Sequence, residues 1–256
     1  MVNMIPNELI IIGGGASIKE GLSLGLHDKL KDCFTCGLNY AFNYFTCTYH
    51  CFVDKDFYKK QQPNLAKLPL LIGKSGGYNP MANTIDLPTA TRYYRNLQGG
   101  TYSPDLTGLF ALSLGIYLID TGTIYLLGYD FGGYHTSNIE DTPLTMANKD
   151  ILALDPRKRP ITHFYQGDFN HRGIAKTSYY NAKKRPRDKF MPFIKDKTNK
   201  EKIKIYNVSP TSRIPNEIFE KIDYKTFFEK LDTGCDGKCN HNMIEIRKSI
   251  RQKLNC

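Results

Sequence analysis

Residues 8–20, ELIIIGGGASIKE, run four consecutive apolar residues (Leu9, Ile10, Ile11 and Ile12) into three glycines and a helix start. Glycines after a buried strand let the backbone turn tightly and approach a ligand closely. Ser17, with Glu20 three residues on, reads as a capping box opening a helix. Free N–H groups at such a start attract phosphate. The stretch is therefore expected to be strand, phosphate cradle, helix, or else the same turn without a ligand. It is not a P-loop, because no Gly-Lys-Ser/Thr follows. It is also not a complete dinucleotide fingerprint, because Ile18 stands where the third glycine would be.

Outward from this stretch the pattern alternates. A helix is expected over 17–31, strands over 33–38 and 48–53, and a fourth strand over 68–73, with a helical turn in NYAFNYF between the second and third. Residues 74–104 are polar and turn-rich. LTGLFALSLGIYLIDTG, 106–122, is too long for a strand and apolar nearly all round, which marks a buried helix. Strands follow at 123–131 and 202–210, and a capped helix at 223–231. The fold class implied is α/β: a Rossmann-like, doubly wound and mainly parallel sheet. Residues 132–170 carry few structure signals and are expected to form a lid. The single domain is expected to end near residue 231, leaving 232–256 as a cysteine-containing basic tail.

At 256 residues the chain has ample core, and 41% of it is hydrophobic. Mean hydropathy is −0.43, and no apolar run approaches the roughly 18 to 20 residues that span a bilayer. The opening MVNMIPNE lacks a basic start and a long apolar stretch, so a cytoplasmic protein is expected. The net charge of +10 is concentrated: twelve Lys or Arg oppose three acids between Arg172 and Lys204. That run could steer an anionic substrate or contact a nucleic-acid backbone, or simply be a solvated surface. Seven cysteines in a chain of this size do not suggest a disulfide framework. Cys33, Cys36, Cys47 and Cys51 fall in expected strands and read as buried hydrophobes rather than ligands. Cys235, Cys239, His241 and Cys256 are the better zinc set, yet their spacing is irregular and zinc is not expected.

In a doubly wound sheet, ligands bind beyond the carboxyl ends of the strands. Gly13, Gly14, Gly15 and Ser17, then Asn39, Asp54, Thr107, Gly108 and Asp130, each fall at a strand end or helix start on that edge. Asp54 suits a ribose or Mg²⁺ contact, or a helix cap. Asp130, carried by an apolar strand, could hold substrate hydroxyls or a metal, or be structural. His50 reads as a structural residue of the third strand. His163 and His171 flank Tyr165 and Asp168, and histidine suits general-base work near neutral pH. Arg172 could grip a phosphate with both guanidinium nitrogens, or belong to the solvated run.

Taken in order, GGGAS (13–17), GLN (37–39), FVD (52–54), LTG (106–108) and LGYDF (127–131) resemble a known pattern. It is that of the MptE-like, 6-hydroxymethylpterin diphosphokinase-like proteins and the family-42 sialyltransferases. HFYQGDFNHRG (163–173) followed by IYNVSP (205–210) is most similar to phage proteins of this group, for which the expected location is the host cytoplasm. The resemblance spans about 5–230. It implies that Gly13, Gly15, Ser17, Asn39, Thr107 and Gly108 hold a nucleotide monophosphate. It further implies that His163 or His171 is the base and that Tyr134 or Tyr165 stabilises the departing phosphate. The chain departs from the pattern at Gly14, Ala16 and Gly132. The leading expectation is a glycosyltransferase-like enzyme using a nucleotide-sugar donor. The alternatives are an ATP- and Mg²⁺-dependent pyrophosphokinase acting on a small hydroxymethyl heterocycle, and a non-catalytic nucleotide- or nucleic-acid-binding protein.

Overall fold

A computed structural model describes residues 5–73, 80–87, 107–130, 202–212, 214–234 and 242–254. Eight strands form one sheet: β1 Glu8–Ile12, β2 Thr35–Leu38, β3 Tyr49–Phe52, β4 Leu71–Gly73, β5 Thr84–Asp86, β6 Gly122–Leu127, β7 Ile203–Val208 and β8 Glu220–Lys221. The strand order is β5-β4-β3-β2-β1-β6-β7-β8, and every pairing is parallel. The chain builds outward from β1 to one edge, returns to the other side of β1, and builds outward again. The order therefore reverses between β1 and β6, where Ile12 lies opposite Leu127. This is the α/β, Rossmann-like architecture expected from the alternation of elements.

The apolar run of β1 follows from its central place. Leu9 and Ile11 face one layer, with helices α4 (Thr107–Ile119) and α6 (Met243–Lys253). Ile10 and Ile12 face the other, with α1 (Ile18–Ser23), α2 (Leu26–Leu30) and α5 (Tyr224–Gly234). Both faces are dry, so the period-2 alternation of polar and apolar residues disappears. Helix α3 (Lys55–Leu65) packs Phe57, Tyr58 and Leu65 against Phe52 and Leu71. α4 is buried on nearly its whole circumference, as its composition indicated.

Several expectations are corrected. The helix expected over 17–31 is two short helices, because Gly25 takes a left-handed φ of 86° that ends one and starts the next. Ser17 makes no side-chain cap to its helix, so the capping box with Glu20 does not form. Strand β5 lies within the stretch read only as turns, and β8 went unseen because two residues give no periodicity. Within 232–256, α6 is an ordered helix: Ile246, Ile250 and Leu254 belong to the same core as Leu9 and Ile11. Asp223 does cap α5, accepting the Thr226 N–H at 2.8 Å. The expected lid over 132–170 and most of the basic run lie outside the described residues.

Among the described residues no helix is long and apolar enough to cross a membrane.

Candidate functional site

The carboxyl ends of β1, β2, β3 and β6 meet the starts of α1, α3 and α4 along one edge, and most of the described candidates lie there. The turn after β1 is held against the end of β6 by a short ladder. The Gly13 N–H donates to the Leu127 carbonyl at 2.7 Å, and the Gly15 N–H to the Gly128 carbonyl at 2.9 Å. A β-carbon on Gly15 would sit 2.4 Å from Asp130 Oδ2 and 2.5 Å from the Gly128 oxygen. The glycines are thus required first by the approach of two protein turns. Gly14 is half-buried, and its N–H has no partner among the described residues.

Ser17 and Asp130 form a buried pair. The Ser17 N–H donates to Asp130 Oδ2 at 2.8 Å and its hydroxyl to Oδ1 at 2.6 Å. Burial raises the Asp130 pKa, and the two Ser17 donors and the Ser209 side chain pull against that rise.

Asn39 follows β2 with a φ of 48°, a left-handed conformation that asparagine tolerates better than most residues. The Thr107 hydroxyl at the start of α4 donates to Asn39 Oδ1 at 3.3 Å. With its oxygen occupied, the Asn39 amide NH₂ has no partner among the described residues. Two residues separated by 68 positions in sequence are so brought together on the edge where both were expected. Gly108, next in α4, accepts the Tyr129 hydroxyl through its carbonyl at 2.9 Å.

Asp54 caps α3, accepting the Asp56 and Phe57 N–H groups at 2.8 and 3.0 Å through Oδ1. Of the two readings open for this residue, the cap is the one the geometry carries. His50 is buried in β3 with neither ring nitrogen bonded, and burial lowers its pKa to about 3. It is an interior residue, as expected. Cys36 and Cys51 lie 3.6 Å apart as buried free thiols, and among the described residues no group of three His, Cys, Asp or Glu could hold a metal. His163, Tyr165, His171, Tyr134 and Arg172 lie outside the described residues, as do Cys235, Cys239, His241 and Cys256.

Sequence reasoning missed one polar layer beneath the edge. The Tyr129 carbonyl accepts the Ser212 hydroxyl at 2.6 Å and the Asn207 amide at 3.4 Å, and Asn207, Ser209 and Ser212 are all buried. The signal was available in YNVSPTS (206–212), where polar residues interrupt an apolar strand that the sheet buries. No family model, curated protein or solved structure matches this chain.

Proposed function

We propose that the chain is a nucleotide-dependent transferase, moving a sugar from a nucleotide-sugar donor to an acceptor hydroxyl. The observation that carries this reading is the Asn39–Thr107 pair beside the glycine turn. One residue in a left-handed conformation has its side-chain oxygen occupied, leaving two amide N–H donors without a partner among the described residues. Residues held in such conformations concentrate at ligand sites. The Gly14 amide adds a donor from the neighbouring loop. Together these groups suit the phosphate of a mononucleotide at the carboxyl edge of the sheet, next to the point where strand order reverses. The similarity of GLN and LTG to the corresponding sialyltransferase motifs supports the same assignment, and that resemblance supplies the base as His163 or His171.

The test is a thermal-shift screen against CMP, UDP, GDP and ATP, with and without Mg²⁺, followed by titration of Asn39→Gly. Glycine accepts the left-handed backbone without the amide, so the variant is expected to fold and to bind at least tenfold more weakly. Affinity equal to wild type would remove Asn39 from the site. In a donor-hydrolysis assay, His163→Ala or His171→Ala is expected to lower turnover tenfold or more. If neither does, the base is elsewhere.

A further inference from the structure

Asp130 is only 2% exposed, and Ser17, itself 1% exposed, donates to both of its oxygens, with the fully buried Ser209 side chain also acting on the carboxylate from within the fold. A carboxylate that gripped a ligand would turn an oxygen outward, and this one turns both inward. Three contacts hold the Gly13–Ser17 turn to the end of β6. Two are backbone bonds, from Gly13 to Leu127 and from Gly15 to Gly128. Those two persist under most substitutions. The third, at the helix end of the turn, depends on the side chain of Asp130. Oδ2 also fills the space in which a Gly15 β-carbon would lie, so the carboxylate shapes the turn from beneath. The Ser17 N–H, already donated to Oδ2, is closed to a second acceptor. An incoming phosphate is thereby directed to the outer donors, the Gly14 N–H and the Asn39 amide.

We infer that Asp130 is a positioning residue: it fixes the glycine turn through Ser17 and does not itself touch the ligand. This rests on the nucleotide reading above. The side chain is needed for its two-point geometry, one group accepting an N–H and one bonded to a hydroxyl. Asparagine can keep both, because its oxygen accepts the Ser17 N–H and its NH₂ donates to the rotated Ser17 hydroxyl. Alanine keeps neither.

The experiment is calorimetric titration of CMP, UDP, GDP and ATP into wild type, Asp130→Asn, Asp130→Ala, Ser17→Ala and the Asp130→Ala/Ser17→Ala double variant. Asp130→Asn is expected to bind within threefold of wild type and Asp130→Ala at least tenfold more weakly. The double variant is expected to be no weaker than Asp130→Ala, because the two residues act through one contact. An Asp130→Asn loss as large as that of Asp130→Ala would mean that the charge meets the ligand, which overturns the assignment. So would additive losses in the double variant, or an Asp130→Ala protein that binds like wild type. Should Asp130→Ala not fold, the remaining pair decides: weakened binding by Ser17→Ala with retention by Asp130→Asn supports the inference, and any other pattern overturns it. Wild type binding none of the four nucleotides would overturn the nucleotide reading and this role together, whereas binding with the wrong variant pattern overturns this role alone.

Discussion

Gly15 and Gly25 show two separate reasons for glycine. At Gly15 a β-carbon would meet Asp130 Oδ2 at 2.4 Å and the Gly128 carbonyl at 2.5 Å. One of those neighbours is backbone and cannot rotate away. At Gly25 a β-carbon would meet nothing within 4 Å, and only the φ of 86° resists substitution. Gly15→Ala is therefore expected to cost at least about 2 kcal/mol, at the upper end of overpacking penalties, because the turn must leave β6. Gly25→Ala should cost only about 1 kcal/mol, the price of a left-handed alanine. Urea denaturation of both variants checks the order, and a Gly15→Ala protein as stable as Gly25→Ala would contradict the packing seen here.

Helix α6 ties the far end of the chain to the amino end of the sheet. The Arg247 Nε donates to the Thr48 carbonyl at 2.9 Å, just before β3. Lys253 Nζ donates to the Leu118 carbonyl at 3.0 Å at the end of α4 and pairs with Asp120. Between these anchors Ile250 is fully buried among core residues. Ile250→Ala is expected to destabilise the whole domain by about 2–5 kcal/mol, since truncating a buried aliphatic leaves a cavity as well as lost burial. The change should appear as one cooperative transition at lower denaturant. A separate early transition would mean that α6 unfolds independently of the sheet.

At the scale of the whole molecule, the buried His50 adds to acid sensitivity. Burial lowers its pKa from 6.5 to about 3, so the unfolded chain binds a proton there that the folded chain refuses. Stability from this group is complete above about pH 6.5 and is lost as pH falls towards 3, at up to about 1.4 kcal/mol per pH unit. Asp130 acts in the opposite direction. Its raised pKa makes the folded state bind a proton more readily just above the ordinary carboxylate range, which offsets part of the loss there. Equilibrium denaturation between pH 7 and 4 is expected to show falling stability in wild type and a flatter profile in His50→Leu. Equal slopes would place the acid sensitivity elsewhere.

What was legible from sequence was whatever depends on local pattern: the buried β1 run, the glycine turn, the apolar α4 and the alternation that makes the sheet parallel. Candidate positions at strand ends were legible for the same reason, since strand ends occupy one edge in any doubly wound sheet. The partners of those residues were not. That Asp130 meets Ser17 at 113 positions' separation, and Thr107 meets Asn39 at 68, is set by strand order, which no local periodicity encodes. The short β5 and β8 and the core role of α6 were hidden likewise, because their burial comes from neighbours distant in sequence. A glycine turn after a buried strand follows from local pattern alone. That a carboxylate three residues past β6 holds this turn is a property of the fold, because the contact exists only once β1 and β6 lie side by side.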